Sequence, residues 1–461
     1  MQQKSNQLKR KMLQLGSAGI ADLQRVFRPW LDLTGLGKAA RERLYTHTRV
    51  FWFFLAQVLS SDGSCREAVQ KFLAWLALTE GKHASPNSAA YCDARKRLPM
   101  GNLQRVCGEV TRTIQHAHGG QGLWYGRRVT VVDGSGLSMP DTPENQEKYP
   151  QSRKILPGCG FPEMRFVALF SLATGVLLHS AWASRYVSER ALFRQLWENL
   201  IPGDVVLGDR GFCGFLEFFM LLAQGIDSVM RLHQRRSTGV RIVKRIGPGD
   251  ALVQWIKMKP CPKGFTKDFW AAVPDVLNLR HISFTVDIPG FRSQSITIAT
   301  TLTDHKQYPA SAFAELYRRR WCAELYFRDI KIAMNMDLLR CKTPEMVEKE
   351  VVMHIIAYNL IRATMIEAAQ ATQKPLDRIS FKGACQAIRE WTPILAIVTE
   401  ATSINLYEAM LQAIGRAPIP HRPNRTEPRA RKRRPKNYQL LNQPRHLFKE
   451  IPHRSRYVIK P

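Results

Sequence analysis

Two short β-branched runs constrain the fold of this 461-residue chain more than any other feature. Residues 129–132 (Val-Thr-Val-Val) end at Asp133-Gly134-Ser135-Gly136, and residues 205–207 (Val-Val-Leu) run into Gly208-Asp209-Arg210-Gly211. Branching at Cβ favours extended backbone, and a short apolar run closed by glycine and aspartate is the pattern of a buried strand leaving its sheet in a turn. Two more strand candidates, 166–172 and 176–179, flank Ala173-Thr174-Gly175 as a hairpin, and a helix is expected over 188–200. Strand, hairpin, helix, strand predicts a mixed α/β core. Both aspartates then lie just past the carboxyl ends of strands, the edge where open α/β sheets place their sites. Asp204 competes for the second position but falls at the amino end of its strand, and each Asp-Gly pair also reads as a plain turn.

Around this core the periodicity changes. Up to residue 122 apolar positions recur every three or four (Leu23, Val26, Phe27; Phe51, Phe54, Leu55, Val58), which predicts helices. Ser85-Pro86 is read as the start of one of them, Pro99 ends it, and the next runs over 101–116. Two short helices with basic residues at their junction fit either a DNA-reading element or a bundle with a solvated face. Residues 212–224 read as an apolar helix, 228–286 alternate as a β-rich stretch, and 296–302 form a last strand before helices over 310–334 and 344–369. The expected units are therefore a helical 1–122, a core split into 123–227 and 295–400, a β-rich insertion at 228–294 and a basic C-terminal segment at 401–461.

Charge narrows the partner. Lys and Arg number 68 against 38 Asp and Glu, a formal net charge of +30, which points to nucleic acid before an acidic membrane surface. The 46 residues from Arg416 hold fourteen Lys or Arg, two acids and eight prolines, so this tail is expected to be extended and ordered only on a partner. Arg431, Lys432, Arg433 and Arg434 at its centre are candidate DNA contacts. Nine scattered cysteines without C-x-x-C spacing predict neither a disulfide framework nor a zinc site, and a reducing compartment. No signal peptide is read at the amino end and no membrane span among the apolar runs, so the expected location is the cytoplasm, with the nucleoid.

One helix supplies a third acid. Taking about 100° per residue, Arg320 lies about 60° behind Tyr317, Glu324 about 20° and Lys331 about 40°, a single stripe. Glu315 and Asp329 lie off it, so Glu324 is the carboxylate that face presents; the plainer alternative is a solvated Arg320–Glu324 pair. Carboxylates from strand, strand and helix are what a two-metal phosphoryl-transfer site requires, with two divalent ions, magnesium or manganese, held by anionic oxygens. Tyr317, Arg320 and Lys331 would grip phosphate beside them.

The spacing Tyr317-x-x-Arg320-x-x-x-Glu324-x-x-x-x-x-x-Lys331 resembles the YREK signature of DDE transposases of bacterial insertion sequences, family four. Asp133-Gly134-Ser135 and Asp209-Arg210-Gly211-Phe212 resemble the family's two aspartate motifs, and Tyr358-Asn359-Leu360-Ile361-Arg362 and Lys432-Arg433-Arg434-Pro435-Lys436-Asn437-Tyr438 extend the likeness. The resemblance implies an RNase H-like catalytic core interrupted by the insertion. It implies a metal-binding catalytic triad of Asp133, Asp209 and Glu324, end-DNA contacts from Tyr317, Arg320 and Lys331, and a helical N-terminal domain that helps bind transposon ends. It further implies a homodimer that bridges two inverted-repeat ends, cuts them and joins their 3′-hydroxyls to target DNA. Members that release the end through a hairpin stack an insertion tryptophan on a flipped base near residues 293–296, where this chain has none; Trp255 or Trp270 is expected to serve instead, the alternative being that both are core aromatics.

Other chemistries lack their motifs. There is no G-x-x-x-x-G-K-[ST] phosphate loop, Gly158-Cys159-Gly160 is a weak glycine signal, and Ser135 lacks the G-x-S-x-G setting. His354, on an apolar helix face, reads as a core residue. An RNase H-like nuclease and a non-catalytic or inhibitory DNA-binding derivative remain as alternatives to a transposase.

Overall fold

Two of the helix starts in the amino-terminal third are set by hydroxyl caps. The computed structural model describes residues 23, 26–27, 29–37, 44–233, 239–262, 264–286, 294–419, 438 and 440–448. Thr46 accepts from the Arg49 amide (3.3 Å) to open α1 (His47–Leu59), and Ser64 accepts from the Glu67 amide (3.2 Å) to open α2 (Cys65–Glu80). α3 (Ala89–Arg97) begins three residues after the expected Ser85-Pro86 start. Ser85 Oγ instead takes the Asn87 amide, and Asn87 Oδ1 takes the Ala89 amide (2.8 Å), so the turn consumes the capping groups first. α4 (Met100–His118) completes this layer, whose aromatic interior includes an edge-on Phe53–Phe72 pair with centroids 5.0 Å apart.

Nine strands form one mixed sheet. In chain order they are β1 (Val129–Ser138), β2 (Glu163–Ser171), β3 (Leu177–Ser184), β4 (Val205–Gly208), β5 (Asp227–Arg231), β6 (Val240–Gly247), β7 (Asp250–Ile256), β8 (Val276–Val286) and β9 (Gln294–Thr300). Their spatial order is β3-β2-β1-β4-β5-β9-β8-β7-β6. β1 runs antiparallel to β2 and parallel to β4; β5 is parallel to β4, and the rest of the sheet is antiparallel. The strands of the β-rich stretch thus continue the core sheet through the β5–β9 pairing. Period-two alternation sorts the two faces: Val129, Val131, Val205, Leu207 and Val229 pack on α9 (Ala310–Arg319), whereas Val132, Val206 and Met230 face the larger core.

Short helices α5 (Pro143–Lys148), α6 (Glu189–Arg194), α7 (Phe215–Ala223) and α8 (Lys267–Ala272) connect the strands. The signature helix comprises α9, α10 (Trp321–Arg328) and a π turn over Asp329–Ala333. α11 (Pro344–Thr372) is long and apolar enough to cross a membrane, but it is buried inside the protein. The motif at residues 358–362 explains how it is held. Asn359 Oδ1 accepts from the Leu177 amide (2.9 Å) while its Nδ2 donates to the Leu177 carbonyl (2.8 Å), so a side chain completes the edge of β3. Tyr358 donates to the Gly175 carbonyl (2.7 Å) and Arg362 Nε to that of Thr174 (3.0 Å). These residues grip the β2–β3 turn, whose backbone groups would otherwise be buried unpaired. α12 (Phe381–Ile397) and α13 (Glu400–Gly415) cover α11, so the first fifteen residues of the expected basic segment are helical.

The two insertion tryptophans are structural. Trp255 is fully buried, its ring edge-on to Phe218 (5.3 Å) and its Nε1 donating to His281 Nε2 (2.8 Å). Trp270 is buried and donates to the Met258 carbonyl (3.3 Å). Neither ring face is free for a base, which corrects the expectation that one of them is a stacking platform. His354 is likewise a buried core residue, its Nδ1 2.8 Å from the Glu350 carbonyl.

Candidate active site

The β1–β4 ladder brings the two aspartates together. Val129 pairs with Val205, Thr130 with Val206 and Val131 with Leu207. The same register carried two residues further sets Asp133 opposite Asp209, where β4 ends and β1 runs on beside β2 as far as Ser138. This corrects the expected turn after Val132: Asp133 stays within the strand, its Oδ1 accepting from the Gly134 amide (2.8 Å), whereas Asp209 lies in the loop after β4, its Oδ1 accepting from the Gly211 amide (2.7 Å).

Glu324 enters from α10 above this edge. Its side chain is 55% exposed, and Oε1 accepts from Arg320 Nη2 at 2.8 Å. The Asp133 carboxyl is raised to about 6, chiefly by burial, with the charges of Asp209 and Glu324 adding to it and the Gly134 amide and Arg320 opposing. Among the described residues no three His, Cys, Asp or Glu side chains stand close enough to hold a metal ion. The donor types, Asp133 on β1, Asp209 just past β4 and Glu324 on the helix above, are nevertheless the anionic oxygen ligands that a hard dication takes, with Glu324 also paired to Arg320.

The signature stripe is only partly open. Lys331 Nζ donates to Ser135 Oγ (3.0 Å) and to the Gly136 carbonyl (3.0 Å), tying the helix end to β1 just past Asp133, and burial lowers its pKa. Tyr317 is buried, with its ring 6.3 Å from that of Phe284 and 5.8 Å from the Arg320 guanidinium; burial raises its hydroxyl pKa. Arg320 is buried too, and its Nε has no hydrogen-bond partner. The uniform 100° step fails at the end of the helix, where the Met334 amide bonds to the Asp329 carbonyl five residues back (3.2 Å). Such wide turns recur at functional sites.

Further acids border β1 just past Asp133. A Cβ on Gly134 would lie 2.8 Å from Glu189 Cδ, and one on Gly136 would lie 2.5 Å from Glu163 Oε1. Both glycines therefore let carboxylates approach the backbone. The Gly-Ser-Gly spacing is a sequence signal for such an approach, but the identity of the partners comes only from the fold. Arg190 Nε, also missed in the sequence, donates to the Gly211 carbonyl (2.5 Å) and braces the second aspartate loop.

Part of the tail is docked on the chain itself. Tyr438 stacks near Phe161 (4.8 Å) and donates to the Leu339 carbonyl (2.6 Å), while Arg445 lies over the Phe161 ring (5.1 Å) and ion-pairs with Asp141. This corrects the expectation of a segment ordered only on a partner, since an aromatic ring and a guanidinium find sites on the core. Arg431, Lys432, Arg433 and Arg434 lie outside the described residues.

Residues 124–360, slightly more than half of the chain, match the Transposase DDE domain family. The chain belongs to this family. As a DDE transposase it is an enzyme of DNA transposition, from a family that generally uses divalent metals, and DNA is its partner. Asp133, Asp209, Glu324 and Lys331 all fall inside the matched span. The transposase is 28% identical over 360 residues to transposase InsG for insertion sequence element IS4 of Escherichia coli K12, covering 76% of this chain and 77% of that one. It is 29% identical over 90 residues to the putative transposase InsZ of the same organism, covering 19% and 30%. Among solved structures, the piggyBac transposase in its synaptic complex with hairpin DNA aligns over 85% of each chain at 7% identity, with a TM-score of 0.41.

Proposed function

We propose that this transposase binds the inverted-repeat ends of an insertion sequence, cleaves them and joins the freed 3′-hydroxyls to target DNA, with Asp133, Asp209 and Glu324 as its catalytic carboxylates. The observation that carries this reading is the parallel β1–β4 register, which aligns Asp133 with Asp209 at one sheet edge beneath the helix that bears Glu324. The order β3-β2-β1-β4-β5, three antiparallel strands followed by two parallel ones, supports an RNase H-like core. The three carboxylates would hold two magnesium or manganese ions, which when bound activate the attacking oxygen and stabilise the leaving one. The chain's own residues prepare that site: the Gly134 and Gly211 amides orient the aspartates, and Arg320 holds Glu324. The amino-terminal unit, residues 1–122, helps bind the ends, and a homodimer bridges two of them. Incubating the protein with a duplex bearing the repeats that flank its gene, plus magnesium and a target plasmid, tests this. Strand joining supports the transposase reading, cutting without joining supports the nuclease, and binding without either supports a non-catalytic derivative.

Lys331 and Arg320 are assigned to end-DNA phosphate, while Tyr317, buried in the core beneath the signature helix, supports that helix instead. Lys331→Ala is expected to weaken end binding or cleavage by about 10-fold or more, since a charge-assisted phosphate contact is worth roughly 1.5–3 kcal/mol. A melting temperature that collapses while the folded fraction binds normally would instead make Lys331 a brace for β1 at Ser135 and Gly136.

The basic tail contributes nonspecific affinity in this reading. Deleting residues from 420 onward should flatten the plot of log affinity against log salt, by roughly 0.9 for each phosphate the tail neutralises. An unchanged slope in a filter-binding titration would remove the tail from the DNA interface.

A further inference from the structure

One short helix touches the segments that carry both aspartates. The Ser188 hydroxyl accepts from the Ala191 amide (3.2 Å) and opens α6, which sets Glu189 and Arg190 side by side in its first turn. The Glu189 carboxyl lies against Gly134, where a Cβ would sit 2.8 Å from its Cδ, and the Gly134 amide is the donor that holds Asp133 Oδ1 (2.8 Å). Arg190 Nε donates to the Gly211 carbonyl (2.5 Å) and its Nη2 to that of Cys213 (3.3 Å). The Gly211 amide in turn holds Asp209 Oδ1 (2.7 Å). Each aspartate is thus oriented by the amide of a glycine that the first turn of α6 touches. The grip on the second aspartate has a buried base. Glu217 of α7 is 1% exposed, pairs with Arg194 Nη2 at 2.5 Å and stands 4.0 Å from Arg190 Nη1. Phe193 of α6 packs edge-on against Phe212 of the same loop, with centroids 5.3 Å apart.

We propose that Arg190 is a positioning residue, and that the first turn of α6 is a spacer that sets the gap between Asp133 and Asp209 and, through it, the affinity of the divalent-ion site. The proposal rests on the reading of Asp133 and Asp209 as metal ligands. Magnesium demands near-ideal octahedral geometry, and a site of this kind works only when its ligands are held to within about 0.5 Å. A loop fastened only by its own turn does not meet that tolerance. Arg190 supplies the missing restraint, because its planar fork reaches the 211 and 213 carbonyls together while Glu217 and Arg194 fix its other side. Glu189 on Gly134 anchors the same turn against β1, so a shift of α6 relative to either segment changes the separation of the two carboxylates. Groups that orient ligands in this way govern metal affinity without touching the ion.

The test titrates the full-length protein with manganese ions alone, reads the free ion by electron paramagnetic resonance and takes Asp209→Asn as the control. In Arg190→Met, whose Glu217 keeps its Arg194 partner, the dissociation constant is expected to rise about 10–100-fold in protein whose circular dichroism matches the parent. The magnesium concentration for half-maximal cleavage should rise in step, while gel shifts show unchanged binding to DNA. Arg190→Lys, one point donor in place of a fork that serves two carbonyls, should fall between the parent and Arg190→Met. If Arg190→Met does not fold, Arg190→Lys decides by the same titration. A folded variant that binds manganese as the parent does overturns the proposal, and a lowered melting temperature beside that result makes Arg190 a stabilising contact only. The two readings fail separately. A parent that binds manganese no better than Asp209→Asn overturns the ligand assignment, whereas a loss in Asp209→Asn with none in the Arg190 variant overturns the spacer alone.

Discussion

Replacing Asp133 by asparagine is expected to reduce magnesium-dependent strand cleavage by at least about 10³-fold, because an amide cannot supply the anionic oxygen that a hard dication requires. The fold should be unaffected. Asparagine has nearly the same shape, and its Oδ1 can still accept from the Gly134 amide as the carboxylate does at 2.8 Å. DNA binding should change by no more than about twofold, since it is electrostatic and spread over many cations. Asp209→Asn and Glu324→Gln should behave alike, although Glu324 differs in being exposed and paired with Arg320. Cleavage gels run alongside gel shifts on the same protein check all three. Near-parental cleavage by any of them would remove that residue from the proposed triad.

The largest expected loss of stability is at Arg280→Ala, about 3–5 kcal/mol. Arg280 is 1% exposed and forms a two-pronged pair with Asp250, Nε to Oδ1 at 2.8 Å and Nη2 to Oδ2 at 2.6 Å. Its Nη1 donates to the Tyr308 carbonyl (2.6 Å), which links β7 and β8 to the segment just before α9. Truncation would strand a buried carboxylate and a backbone carbonyl together. The double replacement Arg280→Met with Asp250→Leu should recover much of the loss, because it removes both charges at once. Urea melts of the parent, single and double variants give the comparison. A single variant as stable as the parent would show that water reaches the pair.

Local features determined where the strands begin, the turn after β4 and the signature helix. The valines and threonine of 129–132 and Val205 and Val206 are extended because branching at Cβ restricts them, and the chain turns at Asp209-Arg210-Gly211, but β1 runs through Asp133-Gly134 to Ser138 because β2 pairs with it there. The tertiary structure decided what those elements meet. It sets Asp133 beside Asp209 through a register between strands more than seventy residues apart, and it continues β5 into β9. It buries Tyr317 and the two insertion tryptophans, which helical and strand periodicity left free to face DNA. It also docks Tyr438 and Arg445 on the core and gathers Cys65, Tyr91 and Arg95 around Gln57. A strand's periodicity says which residues share a face, but not which partner covers that face. That choice depends on hydrogen bonds and apolar contacts between distant segments, which are made only when the chain closes on itself.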